Sequence, residues 1–409
     1  MNRMTAALLI LLLGIFHQEV RAVDAADPVV ALVQGNCAFA LDLYARLGQA
    51  DGNRFISPFS ISTALAMTYA GSQDETALQM AKALRFKLPP SQLHPAFHKL
   101  ITELHGRNAS PADLARPADV QLFTANALWS QAGERILADF QKRIEINYQG
   151  GLYPVDFRHA PDQARQKINA WVEEETRGKI KDLLKSTHVS GQTLLIITNA
   201  IYFHALWASP FTKAKTSQQD FHASPGDVVH VDMMNQAGRF RYYDEGSIQA
   251  LELPYKGDTL AMVILLPKTK DGLGQLESSL TAPKLEGWLR KLASRRVDVS
   301  LPRFKLSAEC ELKDALSALG MPVAFTLGKA DFSGITGTRE LAISAVVHKA
   351  FVEVEETGTE AAAATGVVFS RTAAIAQPPV IFRADHPFFF LIRDLRTGTI
   401  LFLGRLVRP

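Results

Sequence analysis

His94 and His98 stand four residues apart and would share one face of a helix, which is the spacing of a metal pair. No third ligand accompanies them, so they read as ordinary surface residues. Cys37 and Cys310 are the only two cysteines and lie far apart, so one disulfide or two buried thiols would both fit. Asp271-Gly272-Leu273-Gly274 has two glycines of a phosphate-binding loop but lacks the third, and reads as a turn. The sequence contains no G-x-S-x-G, H-E-x-x-H, P-loop or C-x-x-C. A catalytic apparatus is therefore missing, and no metal or cofactor is expected. One stretch remains unusual: EETGTEAAAATGVVFSRTAAIAQPP, residues 355–379. It joins two carboxylates to four consecutive alanines and to Arg371, the one basic side chain between Lys349 and Arg383.

That stretch needs elements to hold it. Before it, ISAVVHKAFVEVEE (343–356) alternates as a strand, with Val346, His348, Ala350, Val352 and Val354 on the more apolar face. After it, Gln377-Pro378-Pro379 can continue neither a helix nor a central strand. Residues 357–377 thus link two strands, and a connection of that length in a compact domain carries function or lacks order. A period of two across it places Thr359, Ala361, Ala363, Thr365, Val367 and Phe369 on one face, small at first and uncharged throughout. Glu360 falls on the opposite face. Such a segment suits an exposed loop in one state and a buried strand in another, because small residues enter a packed sheet without the roughly 1–3 kcal/mol cost of overpacking.

The wider pattern is helices first, then sheets. ALVQGNCAFALDLYARL has helical spacing, SPFSISTALAMTYAG offers Ser57 as N-cap with Pro58 at the next position, and DETALQMAKALRF starts at Asp74. Residues 162–184 read as an amphipathic helix followed by a second short one, 193–203 as a buried strand, and 309–320 as a helix ended by Gly320. Hairpins are expected around Lys256-Gly257-Asp258 and Arg396-Thr397-Gly398. No Gly/Ser linker interrupts the chain, so one α+β domain over 23–409 is expected. Residues 1–22, with Arg3 before an apolar run from Ala6 to Phe16, read as a secretory signal peptide, which implies a periplasmic or extracellular protein. Lys plus Arg exceeds Asp plus Glu by only 44 − 41 = 3, so no whole-molecule field points to nucleic acid or membrane. The local run RKLASRR (290–296) reads as a solvated face.

Six segments in order resemble the serpins, a family of serine protease inhibitors: NRFISPFSISTALAMTYAG, INAWVEEETRGKIKDLL, TNAIYFHALWASPF, ELPYKGDTLAMVILLP, HKAFVEVEETGTEAAAATG and FRADHPFFFLIRDLRTGTILFLGRL. DHPFFF and LIRDLRTG resemble prokaryotic members. The resemblance implies a fold of N-terminal helices with large mixed β-sheets and an exposed reactive-centre loop at about 357–379. It also implies a monomeric suicide substrate that traps a serine protease, or a cysteine protease, by inserting the cut loop into a sheet. In this likeness Glu356, Gly358, Thr359, Glu360 and the run Ala361, Ala362, Ala363, Ala364 form the hinge. Ser57, Ser60, Asn199 and His348 resemble the polar cluster beneath the opening sheet, and Trp207 the tryptophan at its top. Family spacing puts the reactive bond between Thr372 and Ala373, suited to elastase- or subtilisin-like enzymes. The chemistry of Arg371 favours the Arg371–Thr372 bond and a trypsin-like enzyme. Both remain open. The alternative is a non-inhibitory serpin acting as a carrier or chaperone-like binding protein, against which the alanine-rich hinge weighs.

Overall fold

The computed structural model describes residues 27–47, 52–106, 119–358 and 378–409. Among the described residues helices dominate the N-terminal part: α1 (Pro28–Arg46), α2 (Pro58–Tyr69), α3 (Asp74–Ala83) and α4 (Pro90–His105), with the short strand β1 (Arg54–Ile56) between α1 and α2. Strand β2 (Val120–Gln131), α5 (Ala138–Tyr148), β3 (Gly151–Val155), α6 (Pro161–Glu175) and β4 (Leu195–Ala205) come next. Strands then lead: β5 (Ser217–Ser224), β6 (Asp227–Glu245), β7 (Ile248–Pro254) and β8 (Leu260–Pro267), and after α7 (Leu273–Ser279) and α8 (Ala282–Lys291), β9 (Ala293–Pro302) and β10 (Phe304–Glu311). Short helices α9 (Lys313–Ala318) and α10 (Ser333–Thr336) precede β11 (Ile343–Val354), β12 (Val380–Arg383), β13 (Phe388–Asp394) and β14 (Ile400–Leu406).

Two sheets result. One has nine strands in the order β1-β14-β13-β8-β7-β6-β9-β12, with β5 also paired to β6. The other has five, in the order β10-β11-β4-β2-β3. In the second sheet β4 is buried along its whole length because both faces are covered. Ile197, Ile201 and Phe203 join the main core, shared with α2 and the first sheet, whereas Ile196 and Ala200 pack with Ile168 and Val172 of α6 on the other side. A strand covered on both faces reads as the continuous apolar run LIITNAIYFHA.

Three local expectations need correction. The second short helix after α6 does not form: Arg177 and Asp182 have φ 51° and Gly178 has φ 75°, backbone that an α-helix cannot use. Residues 309–311 belong to β10, paired with 347–349 of β11, so the helix ended by Gly320 begins only at Lys313. The turn expected at 271–274 covers only Asp271 and Gly272, whose N–H donates to the Thr269 carbonyl at 3.0 Å, and Leu273 and Gly274 then open the short helix α7. Both hairpins form as expected, β7 with β8 and β13 with β14.

Candidate functional site

The central pair of the five-stranded sheet is β4 and β11, parallel and bonded directly to one another from Ile343–Leu195 to Phe351–Tyr202. Above that point both strands continue, to Ala205 and Val354, but the register does not. The site consists of what closes this seam in its middle and at its upper end.

In the middle, three polar side chains lie in one row across three strands, since Asn126 of β2 is the Cα partner of Asn199 and Asn199 that of His348. Asn199 Nδ2 donates to Asn126 Oδ1 and, at 2.6 Å, to Ser60 Oγ. Ser57 N–H donates to His348 Nε2 at 3.1 Å, so Nδ1 carries the proton and donates to Asn199 Oδ1. Ser57 Oγ accepts from Ser60 N–H as the N-cap of α2 and donates to the Leu401 carbonyl at 2.6 Å. The α2 N-terminus thereby pins the seam from below. Burial holds the His348 imidazole down at about 3, against a smaller upward pull from Asn199. It is neutral at any ordinary pH.

At the upper end the turn Glu355–Gly358 folds back onto the end of β4. Trp207 N–H donates to the Thr357 carbonyl at 3.0 Å, Trp207 Nε1 to the Glu355 carbonyl at 2.9 Å, and Phe211 N–H to the Glu356 carbonyl at 2.7 Å. The Trp207 ring stacks on Tyr255, centroids 4.5 Å apart. Glu356 is fully buried, and its carboxylate accepts from Arg303 Nη2 at 2.6 and 2.8 Å and from Thr216 Oγ1 at 2.7 Å. Burial pushes this carboxyl up, but Thr216, its own backbone N–H and Arg303 outweigh that and hold it below its ordinary value. Gly358 bridges Leu206 with φ 138°, and a Cβ there would lie 2.3 Å from the Ala205 carbonyl oxygen and 2.5 Å from Leu206 Cα. Only glycine fits.

The structure therefore brings Ser57, Ser60, Asn199 and His348 together, and Trp207, Glu356 and Gly358 in a second group. Thr359, Glu360, Ala361 to Ala364, Arg371, Thr372 and Ala373 lie outside the described residues. Asn126, Thr216 and Arg303 were not expected from sequence. Asn126 left a readable signal, since it shares the strand face of Leu122 and Leu128; Arg303, between two strands, left none. His94 is not a surface residue. Its Nδ1 lies 2.5 Å from the Tyr148 hydroxyl, and burial lowers the imidazole to about 4. Cys37 and Cys310 are free thiols, both half-buried.

A family model described as Serpin (serine protease inhibitor) matches residues 34–409. An uncharacterized serpin-like protein of Thermococcus kodakarensis is 42% identical over 383 residues, 93% of this chain and 86% of that one. Human leukocyte elastase inhibitor is 41% identical over 388 residues, 92% of this chain and 99% of that one. Among solved structures, human thyroxine-binding globulin complexed with thyroxine has a TM-score of 0.83 at 29% identity, over 93% of this chain and 99% of that chain. The chain belongs to the serpin family and has the α+β serpin fold.

Proposed function

We propose that this chain is a secreted, monomeric inhibitor that traps a target serine protease, with cysteine proteases a further class open to it. The target's nucleophile attacks the carbonyl carbon of Arg371 or Thr372. The peptide bond breaks, the new amine at Thr372 or Ala373 takes the proton and leaves, and an ester holds the protease to the chain (a thioester for a cysteine enzyme). Residues 359 to 370 then enter between β4 and β11. The observation that carries this reading is the seam itself: two central strands bonded directly, held by one row of side chains and one folded turn, with the segment whose odd-numbered face is uncharged and begins with small residues starting where the turn ends. Hinge residues Thr359 to Ala364 lead that entry. Secretion rests on the signal-like residues 1–22.

Incubation with a panel of trypsin-, elastase- and subtilisin-like proteases tests it. A covalent complex that survives denaturing gels is expected. The mass of the released C-terminal fragment identifies the bond, since a start at Thr372 means Arg371 was read and a start at Ala373 means Thr372 was. Clean cleavage with no complex would replace this reading by the carrier function that the likeness to thyroxine-binding globulin favours.

A further inference from the structure

The run RKLASRR ends on β9, where the fold concentrates charge that the sequence alone does not show as concentrated. Arg296 is the Cα partner of Arg239 on β6. Both are exposed, and residues directly opposite in an antiparallel pair share a face with Cβ atoms about 5 Å apart, so the two guanidinium groups repel. Neither has an ion-pair partner among the described residues, and nor does the neighbouring Arg295. The other cations nearby are spoken for: Arg241 by Glu252 at 2.9 Å, Arg290 by Glu286 at 3.1 Å, Arg383 by Asp385 at 3.2 Å, and Lys291 by the Tyr243 hydroxyl at 3.0 Å. Of the carboxylates on the arginines' face, Glu252 is held by Arg241 and Arg393, and Asp298 lies outside ion-pair distance of Arg239 and Arg296. Beside Asp298, on β12, Ile381 is 70% exposed. An apolar side chain next to unpaired arginines has the composition of a protein interface.

The position of this face indicates its partner. Strand β12 begins at Val380, paired with Val297, so Arg296 is level with Pro379 on the neighbouring strand. Strand spacing places Arg296 about 5 Å, and Arg239 about 10 Å, from the chain that leads out of residues 371–373. Fully extended, the link from Thr372 to Pro379 spans at most about 25 Å. A protease domain of a couple of hundred residues has a radius of gyration of about 17 Å, so a protease engaged at 371–373 comes within reach of this face.

We infer that Arg239, Arg296 and Ile381 form a docking surface for the target protease, and that it selects proteases whose surface beside the active-site cleft is acidic. This rests on the inhibitory reading proposed for the chain. The test compares two trypsins of the same primary specificity, one acidic and one basic, and measures the second-order rate at which each consumes the intact chain, whether the product is complex or cut fragment. For the acidic trypsin, raising NaCl from 50 to 500 mM is expected to slow the wild-type chain on the order of tenfold. R239S/R296S is expected to lose a similar factor at low salt, with less than about a twofold change for the basic trypsin. Both residues are exposed, so the melting temperature should hold. Equal slowing of both enzymes, or no slowing of either, overturns the inference. So does an unchanged rate accompanied by loss of retention on a dextran sulfate column, which would assign the face to a polyanion. Charge-dependent attack without a covalent complex would sustain this surface while removing the inhibitory reading.

Discussion

Replacing Glu356 by Gln should loosen the turn that closes the upper end of the β4–β11 seam. Glutamine keeps the shape, and its Oε1 still accepts from Thr216 and from Arg303 Nη2 at 2.6 Å, but it sets an amide donor against Arg303 where the second carboxylate oxygen accepted at 2.8 Å. A hydrogen bond to a charged group is worth ~1.5–3 kcal/mol. Because the Arg303 side chain is 41% exposed and water screens it, the lower half of that range applies, about 1.5–2 kcal/mol. At 1.4 kcal/mol per tenfold, the turn should detach roughly 10–30 times more often. Trp207 and Phe211 report this directly, since their N–H groups donate to the Thr357 and Glu356 carbonyls. Amide exchange of both should quicken by that factor in E356Q and in R303Q. The double variant should exchange no faster than the faster single by more than about threefold, since both remove one interaction. Singles whose effects multiply in the double variant would refute the coupling, and an unchanged E356Q would show that backbone bonds and the Trp207 stack hold the turn alone. The acid limb gives a second reading. A carboxyl held below its ordinary value of 4.5 contributes stability that is present above 4.5 and lost as pH falls through its folded value. The first urea transition, followed by tryptophan fluorescence, should therefore lose pH dependence on that limb in E356Q.

Further expectations concern neighbouring parts of the seam. Gly358→Ala places a Cβ against β4 backbone and should lower the first urea midpoint by the equivalent of ~2–4 kcal/mol, with Trp207 fluorescence shifting at lower urea. His348, neutral and held at about 3, should make stability fall as pH drops from 6.5 toward 3, because the unfolded chain takes up a proton the folded one refuses; His348→Gln should remove that slope. Thr359→Arg should bury an unpaired charge on insertion, at a cost of several kcal/mol, and turn an inhibitor into a substrate; stable complexes at the wild-type ratio would defeat the inward assignment of the odd-numbered face.

Local chemistry made part of this legible in sequence. Ser57 and Pro58 mark the α2 start because an N-cap and a first-turn proline act within three residues, and β11 shows its inner face because alternation is a property of one strand. What sequence hides is pairing at a distance. His94 is made internal by Tyr148, 54 residues on, and Glu356 meets Arg303 across 53. Residues 309–311 look helical beside the helix-forming run LKDALSAL but are claimed by β11, whose ladder outweighs propensity. The basic run 290–296 appears uniform, yet the fold neutralises Arg290 and leaves Arg296 facing a second arginine.

The bridge between Gly358 and Leu206 is antiparallel, so an inserted strand that kept it would run in phase with β4. In a strand continued from it, each later residue would meet the one earlier residue of β4 that makes the two numbers sum to 564. Ala361 and Ala363 would fall opposite Phe203 and Ile201, where bulk already fills the core, and Val367 and Phe369 opposite Ile197 and Leu195 lower down. Thr365 would fall opposite Asn199. A strand threading this seam must part Asn199 from His348, and the one position on its inner face at that level carries a hydroxyl, able to donate to one and accept from the other. The chain thus holds in its own register the replacement for the bond it would have to break.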